Sequence, residues 1–400
     1  MTEIATPTTS SPTRGYCGGL DVHQKTCDIA LVDPEGKVAR RWHIRTCPQM
    51  LDQFVRELRG ICGTAPFDLG LEASTAGKAV FQHLRKLEVS VHMGHSRKLE
   101  AILSSETKTD RNDAEELARL LQSHHFPEAY VPTDEIEELR SWVRVRSAQV
   151  EKLTRVKQQV HALLVQHHLQ HEATKFSDIF GVQALRWLRS VDLGTEAHRR
   201  QLQVLLEEGV LLTQQITALT NDLARQAVAR KDVELLQSIP GFDYLLALTL
   251  IAEVGDVHRF RNRKKFAAYC GVVPRNRDSG GKVAEHAKLR HGNPRAKWAL
   301  EIAVQAHVLR IRQGRLFRLF EALKARVGVP KAMMAVAHRL AFVVYGVWKS
   351  GKPYEEGNPT SFESKRERLA LRAKAKERFP PVGQLIEKML SATTAAGVVS

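Results

Sequence analysis

The stretch ETKTDRNDAEELARLL, residues 106–121, sets Asp110 and Asp113 three positions apart, with Lys108 and Arg111 beside them and a helical pattern following. Residues at that spacing share one helix face. Two chemistries fit. Acids in a first turn are favoured by the helix macrodipole, giving a well-capped start with Asp110 near the cap. Alternatively, the pair binds a divalent cation, which needs further carboxylates from elsewhere. Asp21 inside GGLDVH and Glu72 at the end of LGLEAS are such acids. A charge in an apolar strand is costly unless it is paired or binds a metal. Four oxygen donors suit one or two Mg²⁺ ions, with Mn²⁺ as the alternative. Two ions about 4 Å apart can activate an attacking oxygen and stabilise a leaving oxygen at phosphorus. Lys108 and Arg111 then become phosphate-side neighbours. Glu106, Glu115 and Glu116 are expected to be solvated helix residues.

A second chemical group is Ser279 in GVVPRNRDSGGK, ahead of Gly280 and Gly281. Glycines let a backbone approach a phosphate closely, and Arg275, Arg277 and Lys282 can hold one there. Ser279 is then either a nucleophile toward phosphorus or a turn serine with a local hydrogen bond. Between Asp256 and Leu300 twelve lysines and arginines face three acids, which is the footprint of nucleic-acid binding. Lys288, Arg290, Arg295 and Lys297 belong to it. Phe260, Phe266, Tyr269 and Trp298, spaced among these cations, either stack on bases or anchor helices in a core.

The elements that must position these groups can be read from periodicity. Over 16–130, GGLDVH, TCDIALVD and VARRWHIRT read as a meander of strands. Pro48 opens a helix with Met50, Leu51, Phe54 and Leu58 at helical spacing. FDLGLEA is a fourth strand, GKAVFQHLRKL a helix, SVHMGH a fifth strand, and a helix starts near Asp110. The order β-β-β-α-β-α-β-α is that of a ribonuclease-H-like (RuvC-like) α/β domain, with none of the Gly-rich loops of a Rossmann sheet. In that order the first and fourth strands are neighbours and the helix after the fifth crosses them, so the four acids can converge.

Over 131–230, a stripe of Ile136, Leu139, Val143, Val150, Leu153, Val160 and Leu164 follows Thr133 as N-cap. A second stripe is Leu202, Leu205, Leu212, Ile216, Leu219 and Leu223. These spacings predict a long helical coiled-coil middle, either a spacer or dimerisation arm or a plain bundle. Over 231–350, a mainly α domain opens with a helix-hairpin-helix-like element at SIPGFD. Its turn either offers N–H groups to a phosphate or serves packing, since Asp243 would repel one. Residues 1–15 read as a disordered lead without the order of a signal peptide. Residues 351–400 form a charged helical tail, its KRERLALRAKAKER expected as a solvated helix.

The chain has 400 residues and a net charge of +16, which points to a polyanionic partner, nucleic acid before membrane. No apolar run is long enough to span a bilayer. Cys17, Cys27, Cys47, Cys62 and Cys270 include no CxxC pair and read as free thiols in a reducing cytoplasm, without a zinc site. His124-His125 and His167-His168 read as solvated helix residues.

Together these motifs resemble the DEDD transposases of the insertion-sequence 110 family. GLDVH, LEAST and KTDRNDA match its first half; IPGFD, GVVPRNRDSGGK and RHGNPRAKWAL match its second, in order over about residues 16–350. The resemblance implies that Asp21, Glu72, Asp110 and Asp113 bind Mg²⁺. It implies that Ser279 is a nucleophile forming a covalent phosphoserine link to DNA, and that the first site is completed by another subunit's serine domain. It further implies site-specific recombination guided by a structured RNA, in a homodimer or homotetramer associated with a prokaryotic nucleoid. The alternatives are a RuvC-like junction nuclease without a protein nucleophile and a non-catalytic nucleic-acid-binding protein; a sugar kinase of the same fold lacks its glycine-rich loops.

Overall fold

A computed structural model describes residues 15–102, 110–273, 292–355 and 359–376, with the side chains of 110–112 and 359–361 excepted. Lys108, Arg275, Arg277, Ser279, Lys282, Lys288 and Arg290 therefore lie outside the described residues, as does the side chain of Arg111. Two compact units divide between Val131 and Pro132.

The first unit is built on a five-stranded mixed sheet in the order β3-β2-β1-β4-β5. Its strands are β1 (Tyr16–Val22), β2 (Thr26–Val32), β3 (Val38–Arg45), β4 (Phe67–Glu72) and β5 (Val91–Gly94). The first three form an antiparallel meander, and β4 and β5 run parallel to β1. Helices α1 (Pro48–Cys62), α2 (Thr75–Lys86), α3 (Ser96–Ile102) and α4 (Asp110–Gln122) complete the unit. The architecture is compatible with a ribonuclease-H-like α/β domain. The short α3 is an addition to the order expected from periodicity.

Strand alternation sorts the two faces. Leu20, Ile29, Leu69 and Leu71 point into a core with Leu51, Phe54 and Leu58 of α1 and Val80, Phe81 and Leu84 of α2. On the other face α4 lies almost directly on backbone. A Cβ added to Gly19 would stand 2.0 Å from the Ala114 carbonyl oxygen and 2.6 Å from the Ala118 nitrogen. Across the ladder Gly70, paired with Gly19, faces Leu121 and Phe126. The glycines of GGLDVH and LGLEAS thus form a flat seat for a helix, which no larger residue would leave open. Arg119 and Gln122 fasten α4 to the β2–β3 turn through the Gly36 and Asp33 carbonyls, at 3.2 and 2.8 Å.

The second unit is helical. Its elements are α5 (Asp134–Gln166), α6 (Gln170–Ala173), α7 (Val182–Ser190), α8 (Glu196–Val228), α9 (Lys231–Gln237), α10 (Tyr244–Val254), α11 (Arg263–Tyr269), α12 (Pro294–Ala306), α13 (Gly314–Val327), α14 (Val329–Ser350) and α15 (Pro359–Ala373). Thr133 caps α5 by accepting from the Ile136 amide. Helices α5 and α8 form an antiparallel hairpin. At one end Leu139 and Val143 share a core with Leu223, Ala224 and Ala227; at the other His167 and His198 meet ring to ring, nitrogens 3.0 Å apart.

Two expectations need correction here. His167 is a packed hairpin contact, while His124, His125 and His168 are exposed as expected, although His124 and His168 stand just past helix ends in left-handed backbone (φ 57° and 58°). The charged tail helix is docked rather than solvated. Leu369 of α15 is 6% exposed in the core, Arg372 donates to the Asn221 amide oxygen at 3.1 Å, and Arg366 pairs with Glu234 at 3.3 Å.

Candidate active site

The last ladder pair between the parallel strands β1 and β4 is Leu20 with Leu71. One step on, Asp21, the last residue but one of β1, and Glu72, the last of β4, lie on neighbouring strands about 4.8 Å apart. Leu20 and Leu71 point into the α1–α2 core, so alternation turns both acids toward the face that α4 occupies. Asp113 stands in the first turn of α4, with Ala114 on Gly19. Asp110 is the first residue of that helix; its side chain lies outside the described residues. Three of the four sequence-predicted acids are thus brought to one end of one sheet face. The glycine seat sets how closely the helix carrying Asp110 and Asp113 approaches the strand carrying Asp21.

Sequence reasoning passed over Asp28. It sits opposite Asp21 in the antiparallel β1–β2 ladder, is 9% exposed, and contacts the His43 Nδ1 at 2.9 Å. Glu72, Asp21, Asp28 and His43 form a row across β4, β1, β2 and β3. The signal was present as an acid in the middle of the apolar run TCDIALVD. Asp21 itself contacts the His23 Nε2 at 3.1 Å. Burial, then the charges of Asp21 and Asp28, push the Cys27 thiol far up, which keeps it protonated and inert.

The expectation that Glu115 is a solvated helix residue is corrected by its ion pairs with Arg41 of β3 and Arg119. The Arg119 and Arg41 partners hold its carboxyl below the usual range against its partial burial. Glu116, also expected to be solvated, is half-buried, and burial, with Asp113 and Glu115 adding, raises its carboxyl. Glu106 lies outside the described residues.

The donor set is all oxygen, the preference of hard divalent cations. Among the described residues no three His, Cys, Asp or Glu side chains lie close enough together to hold a metal. The chemistry of Asp21, Glu72 and Asp113 fits a divalent ion, with the side chain of the fourth acid, Asp110, outside the described residues.

In the second unit, the two ends of the segment containing Ser279 are drawn together. The Asn293 amide donates to the Tyr269 carbonyl at 2.7 Å, and a Cβ on Gly292 would lie 2.4 Å from the Gly271 Cα. Beneath them Glu253, 1% exposed, accepts two bonds from Arg144 at 2.9 Å and one from the Asn293 side-chain amide at 2.8 Å. Of the expected nucleic-acid cations, Arg295 lies 4.0 Å from Glu253 and Lys297 pairs with Glu301 at 3.4 Å. Phe260 and Phe266 are buried, whereas Trp298 is 46% exposed. At the hairpin, Asp243 caps α10 by accepting from the Leu246 amide at 2.8 Å. Gly241 (φ 92°) packs where a Cβ would be 2.4 Å from the Ala303 oxygen.

Residues 18–169 match a DEDD transposase model of the IS110 type, and residues 233–319 match the model described as the transposase IS116/IS110/IS902 family. The chain is 31% identical over 216 residues to the putative transposase y4qE of Sinorhizobium fredii, covering 54% of this chain and 52% of that one. It is 26% identical over 253 residues to the transposase for insertion sequence element IS1111A of Coxiella burnetii, covering 62% and 69%. To the transposase for insertion sequence element IS1328 of Yersinia enterocolitica it is 21% identical over 304 residues, covering 73% and 86%. The match thus spans about half the length of the first of these relatives and more of the other two.

Proposed function

Because the chain belongs to the IS116/IS110/IS902 family of DEDD transposases, we propose that it is a site-specific DNA transposase acting through two centres. Asp21, Glu72, Asp110 and Asp113 hold Mg²⁺ or Mn²⁺, and Ser279 is the nucleophile. When bound, the metal supplies Lewis-acid stabilisation of charge at phosphorus. The Ser279 Oγ attacks a backbone phosphorus; the Oγ–P bond forms, the bond to a sugar oxygen breaks, and that oxygen takes up a proton. Attack by the sugar hydroxyl of a second strand reverses the step and frees the serine, so rejoining needs no external energy source. Arg275, Arg277 and Lys282 hold the phosphate beside Ser279, and Lys108 and Arg111 do so beside the carboxylates.

A structured guide RNA pairs with donor and target DNA, and Lys288, Arg290, Arg295 and Lys297 contribute to the basic surface that holds nucleic acid. The protein acts as a homodimer or homotetramer in the cytoplasm at the nucleoid, with the α5–α8 hairpin as a coiled-coil arm and the α9–α10 turn as a helix-hairpin-helix-like element. Among the described residues no helix is long and apolar enough to cross a membrane.

The observation that supports the proposal is that Asp21 and Glu72 follow the paired Leu20 and Leu71 on the neighbouring strands β1 and β4, on the sheet face against which α4, the helix of Asp113, packs. It is tested by cleavage of element-end DNA by the wild type, Asp21→Asn and Glu72→Gln, with and without EDTA. Each variant and EDTA should lower cleavage by at least ~100-fold, since metal stabilisation is worth several kcal/mol. Cleavage that survives both substitutions and EDTA would sink the proposal.

A further inference from the structure

Some of the second unit's cations have no carboxylate within ion-pair distance among the described residues. A groove of about 1130 Å³ runs between α8, the start of α10 and α15. Arg146, Arg310, Lys365, Arg368 and Arg372 line it, against one acid among the described residues, Asp243. Two of these cations are half-buried and hydrogen-bonded to neutral partners. Arg146 donates to the Thr220 hydroxyl at 2.8 Å. Lys365 donates to the Gln237 and Ile239 carbonyls at 2.8 and 3.3 Å. Neither has a carboxylate within ion-pair distance among the described residues. Burial, with Arg372 adding, lowers Arg146, opposed by Tyr244 and Asp243. Burial pulls Lys365 down to about 8, opposed by Asp243 and assisted by Arg368. Half-buried cations that outnumber the nearby carboxylate carry a desolvation cost, and an anion arriving from outside would offset it.

The order along α15 is equally directed. Lys365, Arg368 and Arg372 are spaced three and four apart and so share one face, spanning about 10 Å of helix. Leu309 and Leu371 stand at the rim 69% and 71% exposed, apolar surface that suits sugars or bases. Lys365 also borders a second cavity of about 330 Å³. That cavity is lined by His307, 4% exposed, which has the Gln313 and Pro240 backbone beside its ring. His307 begins a π-helical turn, His307–Ile311, a distortion frequent at functional sites.

We propose that this groove binds a nucleic-acid strand through its phosphates, with Arg146 and Arg372 on one wall and Lys365, Arg368 and Arg310 along the path. The cations named here are not those of the sequence around Ser279, and the groove gives the docked tail helix a role. The proposal rests on the nucleic-acid reading of the chain. A row of cations on one helix face fits a repeating phosphate backbone better than a compact acidic ligand.

The test is fluorescence anisotropy of a labelled 20-nucleotide single strand with the full chain, between 0.1 and 1 M salt. Arg146→Gln/Arg372→Gln should lower the slope of log affinity against log salt by about 1.4, or about 25-fold in affinity at 0.1 M, at roughly 0.7 per phosphate contact. Arg310→Glu/Arg368→Glu, at exposed positions that do not hold α15 in place, should weaken binding at least as much. The control Arg155→Glu/Arg200→Glu, outside the groove, should do less. If the wild type binds and both groove variants match the control, the groove assignment falls while the nucleic-acid reading stands. If the wild type binds no strand, both fall. Poly-glutamate competing as well as the unlabelled strand would also overturn the assignment in favour of an acidic protein.

Discussion

Removing Arg144 should destabilise the second unit by an amount that depends on pH. Burial alone would push the Glu253 carboxyl up. The bonds from Arg144 and Asn293 and the charges of Arg144 and Arg140 outweigh it and hold the group below the usual carboxylate range. Arg144→Met leaves a carboxylate 1% exposed with the Asn293 amide at 2.8 Å and Arg295 at 4.0 Å. Breaking a buried pair costs ~3–5 kcal/mol. The Arg144 side chain is 46% exposed, so solvent screens part of the interaction and about 2–4 kcal/mol remains. A folded value below the unfolded one means that the wild-type contribution is present above the unfolded carboxylate range and is lost as pH falls through the folded value. In the variant, burial is less opposed and the carboxyl rises, so it protonates in mild acid. The deficit should therefore be largest at neutral pH and narrow toward pH 5. Hydrogen exchange of α10 peptides reads this unit's stability directly; at pH 7.5 protection should fall about 30- to 700-fold, at 1.4 kcal/mol per decade. A fall under fivefold, or one equal at both pH values, would refute the reasoning.

Other perturbations follow from the same geometry. Gly19→Ala puts a methyl 2.0 Å from the Ala114 oxygen; it should cost ~1–3 kcal/mol and lower DNA cleavage about 100-fold, because α4 must shift. Gly60→Ala, whose Cβ meets nothing within 4 Å, should instead stabilise helix α1 by ~0.5–1 kcal/mol, measurable by exchange of α1 peptides. Burial lowers His307, opposed by the nearby Gln313 and Pro240 carbonyls. The unfolded chain then binds more protons than the folded one below about pH 6.5, so stability should fall as pH drops from there toward the folded value. In urea titrations at pH 7.5 and 5.5, His307→Gln should flatten that dependence; an unchanged dependence would count against it.

The parts of the site that were legible in the sequence are local ones. An acid at the end of an apolar strand marks Asp21 and Glu72, and a proline marks the start of α1. What brings them together was not legible, because it is a contact between residues 95 positions apart: Gly19 under Ala114. The glycines of GGLDVH and LGLEAS read only as parts of strands until the helix that sits on them is seen. Asp28 was legible and overlooked, its apolar neighbours on both sides taken for the whole message. The docking of α15 was hidden for the opposite reason. Its charges looked like a solvated face, whereas Lys365, Arg366 and Arg372 each find a partner on α8, α9 or the turn after α9. Burial of a charged helix is decided by partners that a linear pattern does not contain.

The central claim, a serine and a carboxylate set acting on the same DNA, is tested most directly on a denaturing gel. End-labelled element-junction DNA would be incubated with candidate flanking RNA, Mg²⁺ and wild type, Ser279→Ala or Asp113→Asn protein. Label that migrates with the wild-type protein and is absent from both variants is the predicted result. Cleaved DNA with no adduct, unaffected by Ser279→Ala, would contradict it and leave a hydrolytic nuclease.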